Sequence, residues 1–385
     1  MRVLAVTVLF HPYVGGAEKQ AWKLSRKLIA KGVNVKLLTG RWFKGTPKEE
    51  VIDGLPVFRC FTWQQVFSLK GLRKFGAYTY LLALFLYLIR HRREYDIIHI
   101  HQLGYHAFPN VLAAKLLGKK SLIKIGNSGS ASDIKVMLEN RQIWGTSYLF
   151  PKTRECDRVI AISDLIKQEL LASGFQAEQI VRIPNGVEVD QIKPKLDYSI
   201  NGQVSLIYAG RLRRQKGPDF LLNALKKMTT LRPRLGWQLM VLGSGPLAAQ
   251  LKQQTQEYGL ADRIKFCGLV DNVVDYLAKT DIFILPSRAE GLSNALLEAM
   301  AVGLPCVATN IPANAEVMQH DYNGLLTPVE NEEAMAQSIL RLIDDETLRA
   351  RLGKQARQTA MEHYSLEVVA DKYIELYQSL LANRG

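Results

Sequence analysis

Short apolar runs alternate along the chain with longer stretches in which apolar residues recur at helical spacing. In the first half the runs fall at residues 3–9, 33–39, 57–61, 97–101, 121–125 and 159–162. Between the first two lies 17–31, where Ala21, Leu24, Leu28 and Ile29 share one helical face. The series restarts after residue 203, with runs at 204–209, 238–242, 264–267, 282–285 and 306–308. Apolar strands separated by helices predict parallel sheets covered on both faces. Between the two series stands 184–202, PNGVEVDQIKPKLDYSING, rich in Pro, Gly, Asn and Asp and without helical period. It reads as an interdomain linker. The expected fold class is α/β, two Rossmann-like domains facing across a cleft, with ligands at the C-terminal ends of the strands. A length of 385 residues fits two domains.

One apolar stretch stands apart. FGAYTYLLALFLYLI, residues 75–89, is shorter than the roughly 18–20 residues that span a bilayer. Lys70, Arg73 and Lys74 precede it and Arg90, Arg92 and Arg93 follow. A buried helix of an α/β domain is the plainer reading. The alternative is a helix with one face in a membrane surface and its cations on lipid phosphates.

Charge bears on that choice. The net +14 is confined to the first half: residues 1–185 carry +15 and residues 186–385 carry −1. Such a field attracts phosphate-rich partners, and it favours some membrane contact by the first domain. Nucleic acid would satisfy it too, but no helix-turn-helix, RRM or zinc signature is present. With 48% hydrophobic and 22% charged residues, the composition excludes a disordered or collagen-like chain. Four scattered cysteines, Cys60, Cys156, Cys267 and Cys306, point to buried free thiols in a reducing compartment rather than a zinc or redox pair. The N-terminal MRVLAVTVLFHPYVGG reads as a first buried strand rather than a secretory signal.

Three constellations carry candidate chemistry. In HPYVGGAEKQAWKL a strand passes through Gly15-Gly16 into a helix, where the backbone can approach a ligand and the helix N-terminus can face an anion. In AGRLRRQKGPDFLLNAL, residues 209–225, Arg211 and Lys216 occupy a loop between a strand and a helix beginning near Pro218, and can converge on a diphosphate. The third, LPSRAEGLSNALLEAMAVGLPCVAT, spans residues 285–309. Glu290 follows a strand, and Glu298 falls eight residues later in a helix starting near Leu292 or Ser293. The free N–H groups of that helix's first turn can hold phosphate. Asn294 and Glu298, four apart, share its face, and a carboxylate there can accept both hydroxyls of a ribose.

These motifs make the chain recognisable. It resembles the retaining, nucleotide-sugar-dependent GT-B glycosyltransferases (family 4-like) with an E-x7-E signature, here Glu290 to Glu298. The resemblance runs through the Gly15-Gly16 turn, DIIHIHQ (96–102), VIAIS (159–163), IPNGV (183–187), AGRLRRQKG (209–217), VLGSGP (241–246), FCGLV (266–270) and NGLLTP (323–328). It implies an acceptor domain at 1–185, joined by a helix at 365–385, and a nucleotide-sugar donor domain at 186–364. It places the donor diphosphate on Arg211 and Lys216 and near Gly16, the ribose on Glu298, and the base near Gly243–Gly245 and Leu269–Val270. Glu290 and the backbone of Gly291, Leu292 and Ser293, beside Asn294, would lie near the transferred sugar and its β-phosphate.

His101 ends the strand DIIHIH, and the resemblance points to it as the active-site histidine. His99, two residues deeper, is expected to be a core histidine, and His106 is held in reserve. Many members carry a His-Gly pair after the next strand, whereas this chain has KIGNSGSASD, so Asn127 and Ser128 become acceptor-side candidates.

The expected activity is transfer of a sugar from a nucleoside diphosphate sugar, UDP by family precedent, to a hydroxyl of a lipid-linked or glycoconjugate acceptor, with retention. No D-x-D-like pair suggests a metal, and no cofactor is expected, the nucleotide sugar being a substrate. A cytoplasmic protein, peripheral on the inner face of a membrane, is the expected setting. The rivals are a soluble glucan or small-molecule transferase, a nucleotide-sugar epimerase of the same fold, and a noncatalytic sugar-nucleotide binder.

Overall fold

The computed structural model describes residues 1–13, 15–63, 73–129, 132–139 and 143–382, with the backbone alone at Arg73 and Lys74. Val14, Lys70, Ser130 and Ala131, which fall within sequence motifs above, lie outside the described residues.

The chain divides into two units, Met1–Asn185 with Leu366–Gly385, and Gly186–Ser365. In unit 1 the elements are β1 (Arg2–Val6), α1 (Gly16–Ala30), β2 (Asn34–Gly40), β3 (Glu49–Ile52), β4 (Leu55–Cys60), α2 (Arg73–Arg90), β5 (Ile97–His101), α3 (Ala107–Leu116) and β6 (Lys120–Ile125). They continue with α4 (Asp133–Leu138), α5 (Thr146–Thr153), β7 (Arg158–Ala161), α6 (Asp164–Ala172) and β8 (Ile180–Arg182). The sheet order is β3-β4-β2-β1-β5-β6-β7-β8, parallel except where β3 pairs antiparallel with β4. β5 is buried at every position, as an inner strand of a sheet covered on both faces must be.

Unit 2 runs β9 (Val204–Ala209), α7 (Pro218–Leu231), β10 (Trp237–Leu242), α8 (Ala248–Glu257), β11 (Ile264–Gly268), α9 (Val273–Leu277), β12 (Ile282–Leu285) and α10 (Asn294–Val302). It ends with β13 (Cys306–Thr309), α11 (Pro312–Ala315), β14 (Leu325–Thr327), α12 (Glu332–Asp344) and α13 (Glu346–Tyr364). The parallel order β11-β10-β9-β12-β13-β14 is the doubly wound 3-2-1-4-5-6 pattern, whose order reverses beside β9.

The final helix, α14 (Leu366–Ala382), belongs to unit 1. Its Val369, Tyr373, Leu376 and Tyr377 join Val3, Leu28, Leu37, Ile97 and Leu122 in one buried cluster. Lys31, the C-cap of α1, bonds Asp371 at 2.6 Å.

The structure corrects four expectations. The segment 184–202 is not a free linker: Val187, Val189, Ile192 and Tyr198 are buried, and the Tyr198 hydroxyl donates to the Gly303 carbonyl at 2.9 Å. Its apolar residues draw it onto unit 2 despite the Pro and Gly around them. The first strand ends at Val6 rather than residue 9. Cys267 is partly exposed, while the other three cysteines are buried free thiols. Finally, α2 is buried on one face only: Ala77, Tyr80, Leu84 and Leu88 are covered while Phe75, Tyr78, Leu82 and Leu86 are exposed.

Candidate functional site

In unit 2 the loops that follow β9, β10 and β12 are held against one another by backbone contacts. Leu212 N–H donates to the Ser244 carbonyl at 3.0 Å, and Leu247 N–H returns to Leu212 at 3.1 Å. Gln215 ties the first loop to the third, accepting from Arg288 N–H at 2.8 Å and donating from its side chain to Ala289 at 3.2 Å. Glycine permits this closeness. Gly243 sits at φ +130°, and a Cβ there would meet the Gly210 carbonyl oxygen at 2.0 Å. A Cβ on Gly217, at φ +65°, would meet the Pro286 oxygen at the same distance. Both positions therefore need glycine on two counts, backbone conformation and space. Gly243 N–H also donates to Gly268 at 2.7 Å, which brings the β11 loop and Val270 alongside.

Polar side chains gather on this frame. Glu290 is only 3% exposed. Its carboxylate accepts from the Ser287 hydroxyl at 2.7 Å and pairs with the Lys216 ammonium. The Thr309 hydroxyl in turn donates to the Ser287 carbonyl, fixing the turn that aims the carboxylate. Lys216 and Glu290 are thus one ion pair, where the sequence suggested two separate roles. Arg211 is exposed in the same loop, and its carbonyl accepts from the buried Tyr208 hydroxyl at 3.1 Å.

Helix α10 begins at Asn294, one or two residues later than the start near Leu292 or Ser293 that the sequence suggested, with Ser293 as N-cap. The Ser293 hydroxyl accepts from Leu296 N–H at 3.4 Å, so one of the first-turn donors expected to be free is already engaged. Gly291 and Leu292 are buried in the approach to the cap, and Glu298 is half-buried one turn inside the helix. Sequence reasoning missed Arg288, which makes a two-pronged pair with Asp219 of α7 at 2.8 and 3.0 Å and holds Glu330 at 2.8 Å. The pair with Asp219 raises the guanidinium pKa further. The signal was available in the P-S-R that leaves a strand beside a helix start.

Gly16, His101, Asn127 and Ser128 belong to unit 1. Gly16 opens α1, whose N-terminus has no side-chain cap. His101 is buried at the end of β5 and stacks on His99 with ring centroids 3.9 Å apart. Burial first, then Lys124 and His106, hold His101 well below the ordinary histidine range, so the ring is neutral near pH 7. His99 Nδ1 meets the Tyr377 hydroxyl at 2.7 Å, as a core histidine. His106 is fully covered, neither ring nitrogen has a partner, and burial pushes it down to about 3. Lys124 is likewise pushed down to about 8.

The loop after β6 is built on two carboxylates that sequence reasoning did not single out. Asp133 accepts from Gly126 N–H at 3.0 Å, from the Asn127 side chain at 2.8 Å and from Gln102 at 3.2 Å. Burial raises its pKa against these bonds. Glu169 accepts from Gly129 N–H and the Ser132 hydroxyl at 2.8 and 2.7 Å. Asn127 thus donates to Asp133 from both its side-chain amide and its backbone N–H, and Ser128 lies buried beside it. Gln102 takes φ +80°, unusual without glycine, directly after His101.

Comparison with known proteins follows the division into units. Residues 14–191 match Glycosyltransferase Family 4, and residues 196–359 match Glycosyl transferases group 1. The chain is 25% identical to the N-acetyl-alpha-D-glucosaminyl L-malate synthase of Bacillus anthracis, over 98% of this chain and 97% of that one. It is also 25% identical to the UDP-Gal:alpha-D-GlcNAc-diphosphoundecaprenol alpha-1,3-galactosyltransferase of Escherichia coli, over 78% and 79%. Among solved structures, the sucrose-phosphate synthase of Thermosynechococcus elongatus superposes with a TM-score of 0.79 at 22% identity, over 99% of both chains.

Proposed function

The chain belongs to the glycosyltransferases, with a family 4 first unit, a group 1 second unit and the GT-B fold, and from that premise we propose which transfer it performs. It moves a glycosyl unit from a UDP-sugar to a hydroxyl of a lipid-linked or glycoconjugate acceptor, with retention and without a metal ion. The observation that carries this reading is the loop frame of unit 2, with Lys216 and Glu290 paired at its centre and Glu298 one turn into α10.

On this reading Arg211, Lys216 and the remaining first-turn N–H groups of α10 balance the leaving diphosphate, so the charge needs no metal. Glu298 takes the ribose hydroxyls, and the backbone around Gly243 and Val270 receives the base. Lys216 turns from Glu290 toward phosphate when the donor enters, and Glu290 is then available to the hydroxyls of the transferred sugar. His101, neutral and buried, accepts or donates a hydrogen bond at a sugar hydroxyl. Asn127 and Ser128 form part of the Asp133-ordered acceptor loop. The acceptor attacks from the face the leaving group departs, and the phosphate takes the proton. The Escherichia coli relative, whose name gives UDP-Gal and a diphosphoundecaprenol-linked acceptor, supports the UDP and lipid-linked choices. The Bacillus relative supports a second reading, a small-molecule acid as acceptor.

The test is a panel of nucleotide sugars, with and without a polyprenyl-diphosphate sugar or a small hydroxy acid, read by NMR. Turnover of a UDP-sugar, unaffected by chelator and with the donor's anomeric configuration kept in the product, is expected. Epimerisation of the donor, inversion, or no donor use by any arm overturns the proposal.

A further inference from the structure

Helix α2 is apolar on its outer face as well as its inner one. Phe75, Tyr78, Leu82 and Leu86, spaced by three, four and four residues, form one stripe along it. Leu82 is 62% exposed and Leu86 56%. The Tyr78 hydroxyl donates to the Trp144 carbonyl at 3.1 Å, which joins the stripe to the start of α5. There Trp144 and Tyr148 stand 77% and 81% exposed. An apolar patch of this extent on a protein surface marks something that covers it.

The surrounding charge identifies the covering. In sequence, residues 70–93 hold six Lys and Arg and no Asp or Glu. Arg90, Arg92 and Arg93 are exposed where α2 ends. Glu94, the next acid, is occupied by Lys36 at 2.8 Å and His91 at 2.7 Å. Leucine and phenylalanine suit acyl chains, Trp and Tyr suit the headgroup boundary, and the exposed Arg90, Arg92 and Arg93 at the end of α2 suit lipid phosphates. No helix among the described residues is long and apolar enough to cross a membrane, so α2 would lie in the surface plane.

We propose that the outer stripe of α2, with Trp144 and Tyr148, docks unit 1 onto an anionic lipid bilayer. This rests on the transferase reading for its purpose, delivery to a lipid-linked acceptor, but not for the binding itself.

The experiment is co-sedimentation of the full chain with vesicles of phosphatidylcholine alone and of phosphatidylcholine with phosphatidylglycerol, across a salt series. UDP-sugar hydrolysis is followed in lipid-free buffer in parallel. Binding to the phosphatidylglycerol vesicles, weakened by salt, is expected. Leu82→Gln with Leu86→Gln, and separately Trp144→Ser, should each lower partition about tenfold or more. Neutralising Arg90, Arg92 and Arg93 to Gln should cost about 10²-fold and remove the lipid preference. All three changes lie on the surface, and unchanged melting curves would show the fold intact. No binding to anionic vesicles, or binding that the variants leave unaltered, overturns the proposal. So does self-association lost in the leucine variant, which would make a second copy the cover. Donor turnover in any arm of the panel above without vesicle binding removes the docking alone, and vesicle binding with no donor use in any arm removes the transferase reading alone.

Discussion

At the scale of single residues, the Lys216–Glu290 pair dominates the candidate site. Glu290 is almost fully buried, so removing the Lys216 ammonium takes the paired charge away from a buried carboxylate. Lys216→Ala should therefore lower stability by up to about 3 kcal/mol, the low end for a buried pair because Lys216 is partly exposed. Adding Glu290→Gln should restore most of the melting temperature without restoring transfer. Arg211→Ala, exposed in the same loop, should slow transfer roughly 10²-fold while leaving the melting temperature alone. Thermal melts and initial rates on these three proteins check the set, and a Lys216→Ala protein as stable as wild type would show the pair to be incidental. The sequence made the members of this site visible because their types are rare just after strands. It could not show that Lys216 and Glu290 touch, since 73 residues intervene and the contact depends on β9 and β12 being neighbours. Asp133 and Glu169 escaped for a similar reason: each looks like an ordinary helix carboxylate until Gly126 and Asn127 bond the one and Gly129 and Ser132 the other.

At the scale of elements, inner strands were legible, whereas of the edge strands only β11 was. Ile97–His101, Val204–Ala209 and Ile282–Leu285 match their apolar runs residue for residue, because both faces of each are covered. β3, β8 and β14 were missed: they have three or four residues, and β3 and β8 are only half-covered and leave little apolar signal. The helix at 75–89 was legible as apolar, but its period could not tell a covered face from a bare one, since both are built of the same residues. Around β5 and β6 the buried bases have a collective consequence. His99, His101 and His106 stay neutral in the folded protein below their ordinary range. The unfolded chain takes up protons there that the native protein refuses, so stability falls as pH drops from about 6.5 toward 3. His106 alone contributes about 1.4 kcal/mol per pH unit across that window. His106→Leu should flatten the acid slope by that amount and cost nothing at pH 7, because neither ring nitrogen has a partner to lose. Denaturant melts at pH 4, 5 and 7 measure it, and an unchanged slope would place the titration elsewhere.

At the scale of the whole molecule, two largely parallel sheets were foreseen, whereas the path of 184–202 was not, because its buried residues are scattered among turn formers. The return of α14 to unit 1 matters most here. Ending the chain at Ser365 strips Val369, Tyr373, Leu376 and Tyr377 from the cluster that holds Val3, Ile97 and Leu122. Hydrogen exchange on that truncated chain should show β1, β5 and β6 losing protection while β9, β10 and β12 keep theirs, and equal protection in both sheets would make α14 dispensable. There is also a consequence in time. Unit 2 closes upon itself, Val187 bridging to Ser365, as soon as residue 365 is made. Unit 1 must wait for α14, roughly 180 residues beyond Asn185, which at ribosomal speed is roughly 10–40 s. Through that interval the sheet face awaiting Tyr373 and Tyr377 stands bare on the nascent chain, exposed to chaperones and to neighbouring polypeptides. The half of the molecule synthesised first is the half that finishes folding last.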